Sequence, residues 1–134
     1  MRAVIDTNVF VSSFFGGKPR KIIDLWKDGK IMLCLSGAIL DEYADVLHRI
    51  GVSYEGGLRE LLTLFAKGYN TAFIAKTKKI HAVKADPADD KFVECAVELD
   101  AEAIITGDKE LRSIRNYRGI KIYTPAEFLK EFNM

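Results

Sequence analysis

The chain has 134 residues, 49% hydrophobic and 29% charged, and Lys plus Arg exceed Asp plus Glu by one, 20 against 19. That length predicts one domain over residues 1–134 with a real core, and the even charge excludes a nucleic-acid preference resting on bulk charge. No apolar run approaches the roughly 20 residues of a membrane helix and the opening MRAVIDTN lacks signal-peptide form, so a cytoplasmic protein with no membrane association is expected.

In chain order, Arg2 to Asp6 reads as an apolar strand ending in a carboxylate, with Thr7-Asn8 as a turn or helix cap. Val9 to Phe15 continues as a short apolar helix. Gly16-Gly17-Lys18 stops it, and Pro19 opens a helix over Arg20 to Lys27. After the Asp28-Gly29 turn, Ile31 to Leu35 is a buried strand, and Ser36 caps a helix whose inner face is Ile39, Leu40, Tyr43, Val46 and Leu47. Glu42 neighbours apolar positions on that helix, where an acid is costly unless paired. His48 and Arg49 suit the negative end of the helix dipole. Gly51 and the Tyr54-Glu-Gly-Gly turn lead to an amphipathic helix over Leu58 to Gly68. Next come Phe73-Ile74, the basic patch Lys76-Thr-Lys-Lys79, and Ile80 to Val83 as a short strand with His81 pointing outward.

Asp86 followed by Pro87 predicts a helix start, since Pro lacks the N–H that a first turn leaves unpaired. Phe92, Val93, Ala96, Val97 and Leu99 give that helix an apolar stripe. Ala103 to Thr106 is a strand covered on both faces, and Gly107-Asp108 ends it. A short helix over Lys109 to Arg115, a strand over Ile120 to Tyr123 and a helix over Pro125 to Phe132 complete the chain, with Arg112, Arg115 and Arg118 adding local positive charge. Cys34 on a strand and Cys95 on a helix read as core fillers rather than disulfide partners. Strands alternating with helices predict right-handed crossovers and a parallel sheet with helices on both faces.

Asp6 and Asp108 end strands, while Glu42 and Asp90 lie in helices that follow strands, places that adjoin one crevice beyond the carboxyl edges of a parallel sheet. Carboxylates gathered there raise one another's pKa unless a cation shares them. Hard oxygen donors point to Mg²⁺ or Mn²⁺ rather than Zn²⁺, and such a site serves in-line attack on a phosphodiester. Each acid also has a plainer reading. Asp86 is most simply a cap, Asp89 completes a capping-box-like start, Asp90 suits the helix dipole, and Asp6 and Asp108 each cap a following helix. Asn8 and Thr106 either hydrogen-bond the carboxylates or a phosphate, or merely cap.

Val4-Ile-Asp6-Thr-Asn8, Leu40-Asp-Glu42-Tyr, Asp90-Lys-Phe-Val-Glu-Cys-Ala and Ile105-Thr-Gly-Asp108-Lys resemble the four acidic motifs of PIN-domain ribonucleases, in order and across essentially the whole chain. Within that group the chain looks most like the VapC-type toxins of toxin–antitoxin pairs. The resemblance implies a three-layer α/β/α sandwich with a central, mainly parallel five-stranded sheet, Mg²⁺- or Mn²⁺-dependent cleavage of RNA, an antitoxin partner and a homodimer. Carried over by motif, Asp6, Glu42, Asp90 and Asp108 are the metal-binding catalytic acids, and Thr7, Asn8, Thr106 and Asp89 support them. Relatives of this form turn either Asp89 or Asp90 toward the site. Glu110 stands two residues after Asp108 where a further Asp is common. The rival readings are a PIN-type nuclease of RNA or DNA processing or repair, and a non-catalytic binding module, for which four clustered acids would have no use.

Overall fold

Strand β1 (Arg2–Ile5) sits at the centre of the sheet because Ala3, Val4 and Ile5 have no polar face to show, and all three are fully buried. Its neighbours are β2 (Met32–Ser36) on one side and β4 (Ala103–Ile105) on the other, both parallel to it. Beyond β2 lies β3 (Thr71–Ile74), and beyond β4 lie β6 (Ile120–Tyr123) and then β5 (Asn116–Tyr117), which closes the edge antiparallel. The order is therefore β3-β2-β1-β4-β6-β5. This computed structural model describes residues 1–50 and 57–132, so the predicted Gly51 and Tyr54 turn lies outside the described residues.

The chain first builds outward from β1 through β2 to β3, then returns to the other side of β1 to build β4 and β6. The order reverses between β1 and β4. Such a switch point opens a crevice at the carboxyl ends of the two strands, and Asp6 and Asp108 follow those two ends.

Helices α1 (Thr7–Ser12), α2 (Gly17–Lys27), α3 (Gly37–Ile50) and α4 (Gly57–Ala66) fill the first half of the chain. Phe10 of α1 stacks on Tyr43 of α3 with ring centroids 4.0 Å apart, and Phe65 of α4 lies within 5.8 Å of Phe10 and 5.4 Å of Trp26. Burial of such large rings anchors these helices to one another. Tyr43 also donates its hydroxyl to the Ile5 carbonyl, fixing α3 to the end of β1. Gly37, at the start of α3, has no room for a side chain, since a Cβ there would lie 2.6 Å from the Ala75 carbonyl oxygen. Helix α5 (Asp90–Glu98) packs on β1, β2 and β4, α6 (Lys109–Arg112) follows β4, and α7 (Pro125–Phe132) packs against α2.

Two expectations are corrected. Among the described residues the sheet has six strands, because the short β5 adds a hairpin to five parallel ones. Ile80 to Val83 is no strand: the N–H groups of Ile80, Ala82 and Val83 go to side chains of α5, and Thr71–Ile74 supplies the outer strand instead. Cys34 and Cys95 are both free and buried, and burial raises their thiols to about 11 and about 12. Among the described residues no helix is long and apolar enough to cross a membrane.

Candidate active site

Asp6 directly follows β1 and Asp108 comes three residues after the end of β4, and each caps the next helix. Asp6 accepts from the Val9 N–H at 2.8 Å, and Asp108 from the Leu111 N–H at 3.0 Å. Thr106 joins them: its hydroxyl donates to the second oxygen of Asp6 and accepts from the Asp108 N–H at 2.9 Å. Asp6 is 4% exposed, and this burial raises its pKa. The hydrogen bonds from Thr106 and Val9 oppose that rise, while the charges of Asp108 and Glu42 add to it.

Glu42 reaches the same place from α3. One of its oxygens accepts from the Thr7 hydroxyl and the other faces the Lys91 ammonium at 3.1 Å, which supplies the partner that an acid beside an apolar stripe requires. Lys91 also donates to the Ala88 carbonyl at 2.6 Å, tying Glu42 to the start of α5.

The third acid departs from the motif reading. Residues 87 to 89 form a single 3₁₀ turn before α5, so Asp89 faces the cleft and Asp90 turns into the fold. The Asp90 carboxylate accepts from the Val83 N–H at 2.7 Å and the Ala82 N–H at 3.1 Å, with His81 Nδ1 3.9 Å away. Four and eight residues on, Glu94 accepts from the Ile80 N–H at 3.0 Å and the Thr77 hydroxyl at 3.2 Å, and Glu98 from the Lys78 N–H at 3.3 Å. One face of α5 thus holds the whole 77–83 segment by carboxylates, and Asp90 belongs to that ladder.

Asp6, Glu42, Asp86, Asp89 and Asp108, together with Asn8, line a cleft of about 210 Å³. Asp89 is raised to about 7, first by burial, then by a hydrogen bond with the Asp108 carboxyl, and then by the charges of Asp108, Asp86 and Asp6. A carboxyl near neutrality between other acids holds a proton where a cation would relieve the same repulsion. Asp86 does cap the 3₁₀ turn, accepting from the Ala88 N–H at 3.2 Å, yet it lines the cleft too. Arg49, Val46 and Phe92 also line it; nothing in their spacing marks them, whereas the density of acids from 86 to 90 could have flagged Asp86. Glu110 is exposed and is not part of that lining.

The donors fit a hard divalent cation chemically, being carboxylate oxygens in a lining without His or Cys. They are not drawn into a closed shell: among the described residues no three His, Cys, Asp or Glu side chains are already grouped to hold an ion. Several of their oxygens are instead occupied by Val9, Thr106, Leu111 and Lys91.

Fold and cleft together define a doubly wound α/β protein with an acidic pocket at its switch point. The chain belongs to the PIN-domain family, whose family model, described as PIN domain, matches residues 2–110. The elements past the match are integral to the same sheet, since β6 pairs with β4. PIN domains are in general nucleases, hence hydrolases, and typically use divalent metals. No curated protein matches the chain.

Proposed function

We propose that the protein is a divalent-metal-dependent endoribonuclease in which Asp6, Asp89 and Asp108 hold Mg²⁺ or Mn²⁺ and Glu42 completes the site or orients the attacking water. The observation that carries this reading is the convergence of those four acids, from four separate segments, on one cleft at the switch point. When bound, a divalent cation makes water a better nucleophile at neutral pH and offsets charge developing on the phosphate oxygens.

The chain's own residues prepare the cleft. Thr106 orients Asp6 and fixes the Asp108 backbone, Thr7 and Lys91 orient Glu42, and Asn8 stands exposed at the rim as a donor for a phosphate oxygen. No His or Lys general base is needed in such chemistry. The likeness of the four motifs to VapC-type toxins extends the proposal to a toxin role, with an antitoxin protein as partner and a homodimer as the working form.

Incubating the purified protein with a panel of RNAs, with Mg²⁺, Mn²⁺ and EDTA side by side, tests the reading. Cleavage with metal that EDTA stops is the expected result. Equal cleavage by Asp6→Asn would overturn the assignment of the acids.

A further inference from the structure

Beside the acidic cleft the surface changes sign. A groove of about 630 Å³ is lined by Lys109, Arg112, Arg115, Tyr123 and Glu127, among others, and Lys109 directly follows Asp108 of the cleft. The two sites share one edge of the sheet, because the Thr106 N–H donates to the Tyr123 carbonyl at 2.8 Å and joins the ends of β4 and β6. Neighbouring strands lie about 4.8 Å apart, so the groove begins one strand spacing from the acids.

Glu127 has its carboxyl held down first by hydrogen bonds from Thr124 and then by the nearby charges of Arg112 and Arg115, but none of the three cations is locked in an ion pair among the described residues. Among the described residues the ion pairs within 4.0 Å are Lys27–Glu60, His81–Asp90 and Lys91–Glu42, and none involves Lys109, Arg112 or Arg115. Glu127 is turned to its own helix start, accepting from the Thr124 N–H at 2.8 Å. Arg115 has a left-handed backbone with φ +62°, which a residue with a Cβ adopts at a cost, and its carbonyl accepts from the Ile122 N–H at 2.9 Å. The guanidinium is therefore carried on a backbone pinned to β6.

We propose that this groove is the track along which the sugar–phosphate backbone of a single-stranded polynucleotide leaves the acidic cleft, with Lys109, Arg112 and Arg115 meeting phosphates and Tyr123 offering a ring to an unpaired base. The proposal rests on the nuclease reading above. A polyanion drawn to a pocket of carboxylates needs adjacent cations to offset the repulsion, and an aromatic wall receives a base only when that base is unstacked.

The test is binding of fluorescein-labelled single-stranded RNA, and of DNA of the same sequence, followed by anisotropy at several salt concentrations without added metal. In R112E/R115E both oligonucleotides bind more weakly, and the slope of log K against log salt becomes shallower by about 1.4, two phosphate contacts at about 0.7 each. R112K/R115K retains the slope, and R112Q alone loses about half as much, which keeps the test decisive if the double reversal folds poorly. Tyr123→Leu weakens binding while Tyr123→Phe keeps it. Unchanged affinity and slope in R112E/R115E and R112Q overturn the proposal. Cleavage by the wild-type protein is scored separately. Cleavage alongside unchanged binding removes the track and leaves the nuclease reading; weakened binding with no cleavage under any metal removes the nuclease reading and leaves the track.

Discussion

Thr106 donates its hydroxyl to Asp6 across a separation of 100 residues, joining the ends of two neighbouring strands at the point where the sheet reverses its order. Both groups are buried, so the bond cannot be exchanged for one to water without opening the sheet end. Thr106→Val keeps the shape and removes the donor. It is expected to destabilise the protein by about 1–3 kcal/mol at neutral pH, with Thr106→Ser losing much less. Urea unfolding of the three proteins at one pH checks this.

Asp89 and Asp90 are adjacent in sequence and opposite in consequence. Asp89→Asn is expected to abolish metal-dependent cleavage, by more than about 100-fold, the upper end of what outer-shell partners of a metal site contribute. Its fold should stay intact. Asp90→Ala leaves two N–H groups of the 82–83 segment without an acceptor, and is expected to lower stability by about 1–3 kcal/mol. Activity and unfolding measured on both variants separate the two roles, and the reverse pattern would restore Asp90 to the cleft.

The raised Asp89 pKa makes the metal-free protein sensitive to pH. The folded value of about 7 lies above the ordinary 3.8, so the contribution to stability is fully present below 3.8 and is lost as pH rises toward 7. Buried Asp6 is shifted the same way. In EDTA the melting temperature of the wild type should therefore fall relative to Asp89→Asn between about pH 4 and pH 7. Excess Mg²⁺ should cancel that difference, because an ion that binds only the folded state stabilises it. Parallel melting curves across the range, with and without Mg²⁺, are the measurement.

Gly37→Ala places a methyl group 2.6 Å from the Ala75 carbonyl, a backbone atom that cannot step aside as a side chain would. Forcing the start of α3 away is expected to cost about 1–3 kcal/mol. The same helix carries Glu42 toward Thr7, so cleavage should fall together with the melting temperature.

The strands that read most clearly in the sequence are those with no polar face. Ala3–Ile5 and Ala103–Ile105 are apolar throughout because both of their faces are covered, and the acids that follow them fell at the crevice by topology alone. The outer strand was harder to read. Thr71–Ile74 and Ile80 to Val83 have similar composition, and what separates them is a set of hydrogen bonds donated by the backbone of the second to α5 carboxylates, contacts that no periodicity records. The third acid was illegible for a geometric reason. Successive helical residues point about 100° apart, so one 3₁₀ turn over Pro87–Asp89 decides which of two neighbouring aspartates sees the cleft. Glu42, by contrast, was legible as an acid in need of a partner, and Lys91 is that partner.

Cys34 and Cys95 bear on how any of these variants is judged. Both thiols lie in the core, shifted up to about 11 and about 12, and the thiolate is the form that alkylating reagents attack. In the native protein they are shielded twice over, by lack of access and by lack of ionisation. Their rate of modification by iodoacetamide is consequently a clock for opening of the interior, and a cleft variant that silences cleavage without quickening that clock has lost chemistry rather than architecture.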